Sequence, residues 1–456
     1  MKKPGLILCL LTMAAVAPAQ APAQQGAGYN GLSLTTPLEV SVGNDSNFLV
    51  DRLTQEQKLF YLSFSPTFQR DTPLAQPMKY DDQVMLLTGP TASFISDSRR
   101  RQLAFSYKPE VEMFRTNRDQ NSWNHDGNVS FTYFVSRRAS ISVRDQYRSS
   151  KDPSRTLQNI FLLLPRSRFQ ENAFRTQLFL ETSPVTNFIV RYDNTLTKFG
   201  NIDPFQVRVL DSIANSASFV ATHMLSQRQR VRATYSIFRI SPIDRTGVAD
   251  EGVDTERNGM RRPSHFLTGE YRVNLNSSTV LEFLGGGVHG ENGTNYVFRV
   301  SGDKRLGTIW VSGGYSRAAS FFAGDVRQVS NGLKSSDLFE IATFRIRGEP
   351  FRRLAISTSI MGSRGVSAVI ADGSKALMGK ARIDYRWTDR VTTFISAETY
   401  QQNRNSFVNS ALSRNRFFAG IQYSFSSEEE RRINRLNRDA EYVSLTERDH
   451  RRATQQ

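Results

Sequence analysis

The sequence predicts an all-β fold, a transmembrane antiparallel up-and-down β-barrel of about 18 strands, on three observations. Segments of about ten residues alternate apolar and polar side chains, as a strand does when its two faces meet different environments. Short connections and longer polar loops take turns along the chain, the pattern of a barrel with short periplasmic turns and longer extracellular loops. After the leader, no stretch approaches eighteen consecutive apolar residues, so strands are the only candidates to span a bilayer.

Of the 456 residues, 1–23 read as a secretory signal peptide: Lys2 and Lys3, an apolar run from Leu6 to Val16, then Ala-Pro-Ala at 17–19 and 21–23. The run is too short to cross a bilayer as a helix. Cys9, the sole cysteine, lies inside it, so disulfide frameworks and thiol chemistry are not expected of the mature chain. Residues 24–35 read as an N-terminal periplasmic segment, 36–426 as the barrel and 427–456 as a charged periplasmic tail.

The mean hydropathy of −0.44 resembles that of a soluble protein, but a barrel with a polar interior has the same composition, so periodicity must decide. The formal charge of +16 does not point to nucleic acid, because the basic residues are not gathered in one block with aromatic stacking partners.

Eight short connections set the strand count: 96–101, 136–138, 183–186, 226–229, 274–278, 303–307, 348–353 and 388–390. Between them run polar loops at 116–126, 149–172, 199–210, 241–263, 319–335, 364–375 and 402–413, with a short exception at 290–294. Eight turns join nine two-stranded units, which gives eighteen strands, an even number as bacterial barrels usually have. The first strand is placed at 36–42, before a loop over about 44–84. If it stays out of the wall, the count falls to sixteen.

Parity then assigns the faces. Lys380, Arg382, Asp384 and Arg386 oppose Ala381, Ile383, Tyr385 and Trp387. Arg230 and Arg232 oppose Val231, Ala233, Tyr235 and Ile237, and Glu270 and Arg272 oppose Leu267, Gly269 and Tyr271. The closing strand, 414–425, sends Phe417, Ala419, Ile421, Tyr423 and Phe425 to one side. A soluble sandwich or propeller would also alternate, but its dry core would not accept such charges unpaired. Aromatic residues near segment ends fit an interfacial girdle. Lipid is therefore expected on the aromatic face and water on the charged one.

Three stretches resemble an outer-membrane β-barrel porin family of Gram-negative bacteria, some of whose members lie beside exopolysaccharide gene clusters. They are "LEVSVGNDSNFLV" (38–50), "GPTASFISDSRRRQLAFSYKPEVEMF" (89–114) and the closing "RNRFFAGIQYSF" (414–425). The resemblance implies location and fold more than solute. The chain departs from the family in an insertion at 51–80 and in continuing past its last strand.

The expected lumen residues are Arg144, Arg175, Arg191, Arg230, Arg232, Glu270, Arg272, Arg299, Lys380, Arg382, Asp384 and Arg386, with Glu110, Glu112, Glu181, Asp193, Glu282 and Glu398 among the acids. The expected lipid-facing residues are Tyr235, Ile237, Tyr271, Ile383, Tyr385, Trp387, Phe417, Tyr423 and Phe425. No pair among His125, His223, His265, His289 and His450 has metal-ligand spacing on one element, so neither a metal nor a cofactor is expected. Ser264 and His265 are adjacent, and strand neighbours point to opposite faces, which argues against an embedded hydrolase and for a non-enzyme. The glycines of "LGGGVHG" (284–290) precede no helix and read as a bulge or a close approach.

Basic residues gather at the short turns, including Arg99, Arg100, Arg101, Arg137, Arg138, Arg228, Lys304, Arg305, Arg352, Arg353 and Arg390. They suit anionic headgroups of the inner leaflet, or else are ordinary solvated turns. "LQNIFLLLP" (157–165) is too apolar for an open loop, and either folds inward, packs on a partner or extends the neighbouring strands. In the tail, a serine followed by three glutamates starts a helical pattern with Ile433, Leu436, Ala440 and Val443 on one face, with disorder as the alternative.

Two functions are open at this point. One is a porin-like channel for small polar or charged solutes. The other is a closed barrel serving as an outer-membrane component of exopolysaccharide export or another envelope assembly. The expected partners are outer-membrane lipid, the barrel assembly machinery and a periplasmic or polysaccharide-export partner.

Overall fold

The computed structural model describes residues 30–34, 36–46, 82–98, 100–152, 168–200, 208–209, 211–243, 263–290, 293–320, 324–325, 337–366, 375–403 and 412–425. The expected signal peptide, the 51–80 stretch, the 157–165 stretch and the expected tail at 427–456 lie outside these residues.

Twenty hydrogen-bonded segments form one antiparallel sheet that closes on itself. Two wall strands are each interrupted once, so the twenty segments make eighteen strands. β1 comprises Asn30–Leu34 and Leu38–Asp45, and β2 comprises Asp82–Thr88 and Ala92–Asp97. The wall continues through β3 (Arg101–Phe114), β4 (Ser122–Phe134), β5 (Ala139–Ser150), β6 (Phe169–Ser183), β7 (Thr186–Phe199) and β8 (Ser212–Ser226). Next come β9 (Gln229–Pro242), β10 (Ser264–Asn276), β11 (Thr279–Gly290), β12 (Gly293–Leu306) and β13 (Ile309–Ser320). The last are β14 (Asp337–Phe351), β15 (Leu354–Gly365), β16 (Lys375–Arg386), β17 (Val391–Asn403) and β18 (Leu412–Tyr423).

Each strand pairs with its sequence neighbour, and β1 pairs with β18 over eight residue pairs, Leu38 with Tyr423 through Asp45 with Arg416. The first strand thus joins the wall, and the count is eighteen rather than sixteen. It extends beyond the expected 36–42 at both ends: its second part runs to Asp45, and its first part, Asn30–Leu34 from the leading segment, pairs with Ala92–Ser96. Both interruptions fall at prolines, Pro37 and Pro90, which have no N–H to give a ladder. The gap is held instead by threonines: the Thr91 N–H donates to Thr36 Oγ1 at 2.7 Å. Gly89 donates to the Pro109 carbonyl on the next strand at 2.9 Å.

The short connections fall where alternation places them, and two of the hairpins use a left-handed glycine. Gly307 turns β12 into β13 with φ +61°, and Gly293 follows the short exception between β11 and β12 with φ +92°. Glycine takes this region without steric cost.

Exposed apolar side chains such as Leu267, Ile383 and Ile421 occupy one parity of their strands, and the neighbouring residues of the other parity are half-buried or buried. The second parity faces the enclosed side, because its side chains meet across strands that do not touch. No helix among the described residues is long and apolar enough to cross a membrane. A closed sheet with every ladder satisfied and an apolar outer belt is the strand solution to the same problem. The chain is an outer-membrane β-barrel.

Candidate functional site

The charged parity lines the lumen in connected groups. On β9 to β12, Glu270 is the hub. Its carboxylate lies 3.4 Å from both Arg230 and Arg232 and 3.7 Å from Arg299. Arg299 also pairs with Glu282, which stands in register with Arg272. Four arginines therefore share two glutamates here.

A second group lies on β4 to β7. Asp193 takes ion pairs from Arg175 and, at 3.1 Å, from Arg191. Arg144 donates from Nε to Asn128 Oδ1 at 2.6 Å.

The third group runs from β14 to β1 around a cleft of about 360 Å³. Lys380 lies 3.3 Å from Glu398, and Arg382 bridges Glu39 at 3.2 Å and Asp384 at 2.9 Å. Glu39 also accepts from Gln422 Nε2 at 2.6 Å, and the Arg382 guanidinium lies 3.8 Å over the Phe394 ring. Arg386 reaches Glu349 at 3.5 Å near the short-turn end. Four cations, Arg345, Lys380, Arg382 and Arg416, line this cleft against two acids, Glu39 and Glu398.

The fourth group sits at the long-loop mouth and holds the most deeply buried charges. Arg414 grips Asp45 with two hydrogen bonds of 2.9 and 2.8 Å, and its Nη2 lies 2.8 Å from Asp152. Arg416 pairs with Asp45 at 3.1 Å and with Glu112 at 3.4 Å. Asp45 and Glu112 are 0% exposed, Asp152 1%, Arg414 5% and Arg416 7%. Asp152 stands just past β5, so its side chain meets Arg414 across the mouth. Lys151 beside it donates to the carbonyls of Asp119 and Asn121. An apolar patch of Val84, Leu86, Phe114 and Phe418 lies on the same inner face.

Sequence reasoning named Glu112 but missed Arg414, Arg416, Asp45 and Asp152. Arg414 and Arg416 were legible, since they alternate with Phe417 in "RNRFF". Asp152 carries no such signal, because it belongs to a connection rather than a strand.

On the outer face, Tyr235, Ile237, Ile383, Tyr385, Phe417 and Tyr423 are exposed, and Tyr271 is half-buried on the parity of Leu267. Trp387 lies in the turn after β16, edge-on to Tyr385 with ring centroids 4.9 Å apart. Phe425 lies two residues past β18 and meets Tyr423 in the same way at 5.2 Å.

The four described histidines are bound to hydroxyls, Nδ1 of His125 to Tyr107, of His223 to Thr186, of His265 to Tyr235 and of His289 to Thr294, all at 2.8–2.9 Å, and His450 lies outside the described residues. His265 shares the outer parity of Leu267, whereas Ser264 is buried on the other, so the two do not converge. In the glycine run, a Cβ on Gly286 would fall against the Leu267 carbonyl and 2.7 Å from Thr268 Cα, while Gly285 has open space. The run marks a close approach of two backbones.

No protein-family model matches the sequence, and no curated protein matches it. Solved structures do match. The siderophore receptor PirA from Pseudomonas aeruginosa is 9% identical with a TM-score of 0.38, over 86% of this chain and 80% of that one. OpdQ from the same organism is 9% identical with a TM-score of 0.41, over 85% and 97% of the two chains. The NanC porin is 11% identical with a TM-score of 0.24, over 46% of this chain and 93% of that one.

Proposed function

We propose that the barrel is a porin-like channel for small polar or charged solutes, with a modest preference for anions. The observation that carries this reading is the excess of cations over acids at two places on the lumen wall: four arginines to two glutamates around Glu270, and four cations to two acids among the residues that line the cleft itself. Charges on a narrow water-filled wall select ions most strongly where water screens them least. Paired side chains also hold their positions, so the field is fixed rather than fluctuating.

The test is single-channel recording of the refolded protein in planar bilayers, with reversal potentials in a salt gradient. Wild type should pass current with anion preference, and an Arg230/Arg232/Arg272→Ser variant should lose that preference. Cation preference in the wild type would sink the reading.

The Asp152–Arg414 contact at the mouth supports a second reading, a barrel closed to free diffusion that serves exopolysaccharide export or another envelope assembly. Wild type without conductance would promote it.

A further inference from the structure

The lumen does not account for every charge on the wall. Arg317 on β13, Glu340 on β14, Arg364 on β15 and Lys375 on β16 form one row across four adjacent strands. Arg317 stands in register with Glu340, Glu340 with Arg364 and Arg364 with Lys375. Each lies an even number of residues from an exposed apolar side chain on its own strand: Tyr315, Phe344, Ile360 and Leu377 respectively. The row therefore faces outward, not into the lumen.

Its level on the wall is equally defined. All four residues lie within a few positions of a long-loop end, the extracellular end of a barrel of this kind. Aromatic rings surround its end on β13: Phe298 stands in register with Arg317, Tyr315 lies two residues further from the loop, and the Arg317 guanidinium lies 4.0 Å over Tyr296. Three cations thus stand at the loop end of the wall among interfacial aromatic rings, the headgroup level of the outer leaflet.

The one acid does not neutralise them. Glu340 also accepts a hydrogen bond from the Tyr315 hydroxyl, and the row keeps a surplus of two positive charges. Nor is the row part of a uniform ring. The residue in register with Lys375 on the next strand, β17, is the uncharged Asn403. Arg364 and Lys375 are exposed on a face that meets a leaflet rather than bulk water, where an anionic headgroup can serve as counter-ion.

We propose that this row binds the phosphates of an outer-leaflet glycolipid. Arginine offers a planar fork that matches phosphate, and lysine adds a point charge. The row spans three strand spacings, roughly 14 Å, which suits a headgroup with more than one phosphate better than a single phosphodiester.

The test uses the full refolded chain in detergent, with lipid retention read by native mass spectrometry. Wild type should retain one diphosphoryl lipid A, and hold phosphatidylglycerol about tenfold more weakly. Arg364→Gln with Lys375→Gln should weaken lipid A binding about tenfold, whereas Arg364→Lys, which keeps the charge but loses the fork, should weaken it by less. The lumen variant Arg230/Arg232→Ser should bind as wild type does. Heat-modifiable gel migration checks that each variant has folded.

Four outcomes would overturn the proposal. They are unchanged retention by the folded Arg364/Lys375 variant, equal loss in the lumen variant, equal retention of phosphatidylglycerol, and displacement of the lipid by millimolar inorganic phosphate. The last would make the row a free-phosphate site.

Discussion

Arg414 and Asp152 meet with 2.8 Å between Nη2 and Oδ2, although four wall strands separate β18 from the end of β5. Both side chains are almost fully buried, and Asp45 completes the cluster from β1. A buried ion pair adds little over an apolar substitute, but removing one partner strands the other in a low-dielectric site at a cost of about 3–5 kcal/mol. Arg414→Met should therefore lower the urea midpoint of the refolded barrel sharply. Adding Asp152→Asn should recover much of the loss, since the stranded charge is then gone while Asp45 keeps Arg416. A single variant as stable as wild type would show that water reaches the cluster and that burial does not govern it.

The two faces of β16 should tolerate charge unequally. Ile383 is 52% exposed on the outer parity, whereas the Arg382 side chain is 28% exposed and ion-paired. Ile383→Arg should impair refolding by ~2–4 kcal/mol, the cost of arginine on the lipid face near mid-membrane. Arg382→Ile should cost less. Equal effects in a refolding titration would reverse the assignment of faces.

Glu270 is the shared acid of Arg230, Arg232 and Arg299. Glu270→Gln keeps the shape and releases three cations to the lumen. Reversal potentials should then move further toward anion selectivity than in wild type. A shift toward cations would mean that these arginines turn away from the conducting path.

The glycines of 284–287 should separate cleanly. Gly286→Ala drives a methyl into the backbone of β10, whereas Gly285→Ala meets open space. Heat-modifiable gel mobility should show the first variant poorly folded and the second like wild type. Similar folding yields would indicate that the two strands can spread.

The architecture was readable because a barrel strand advertises both faces. "KARIDYRW" states its two environments residue by residue, and the turn after it is marked by Asp389 and Arg390. The registers of the charges were not readable. Asp45 and Arg414 stand 369 positions apart, and their meeting depends on how far each strand is displaced along its neighbour, which periodicity does not encode. The break in β1 and β2 was half legible: Pro37 and Pro90 signal lost donors, but only the paired strands reveal that the two gaps lie side by side.

The seam between β1 and β18 joins the two ends of the strand order through eight residue pairs, against twelve for β17 with β18. Every other wall contact can zip as its hairpin emerges, at small cost in chain entropy, but this one waits until the whole polypeptide has been threaded. Asp45 with Arg414 and Arg416 sits on that junction, so the step that turns a curved ribbon into a ring is also the step that brings opposite charges out of water together. Before it, each of these side chains is solvated and the two edges stay soluble and apart; after it, reopening the ring would have to rehydrate both signs at once. The junction thus works as a clasp that fastens last.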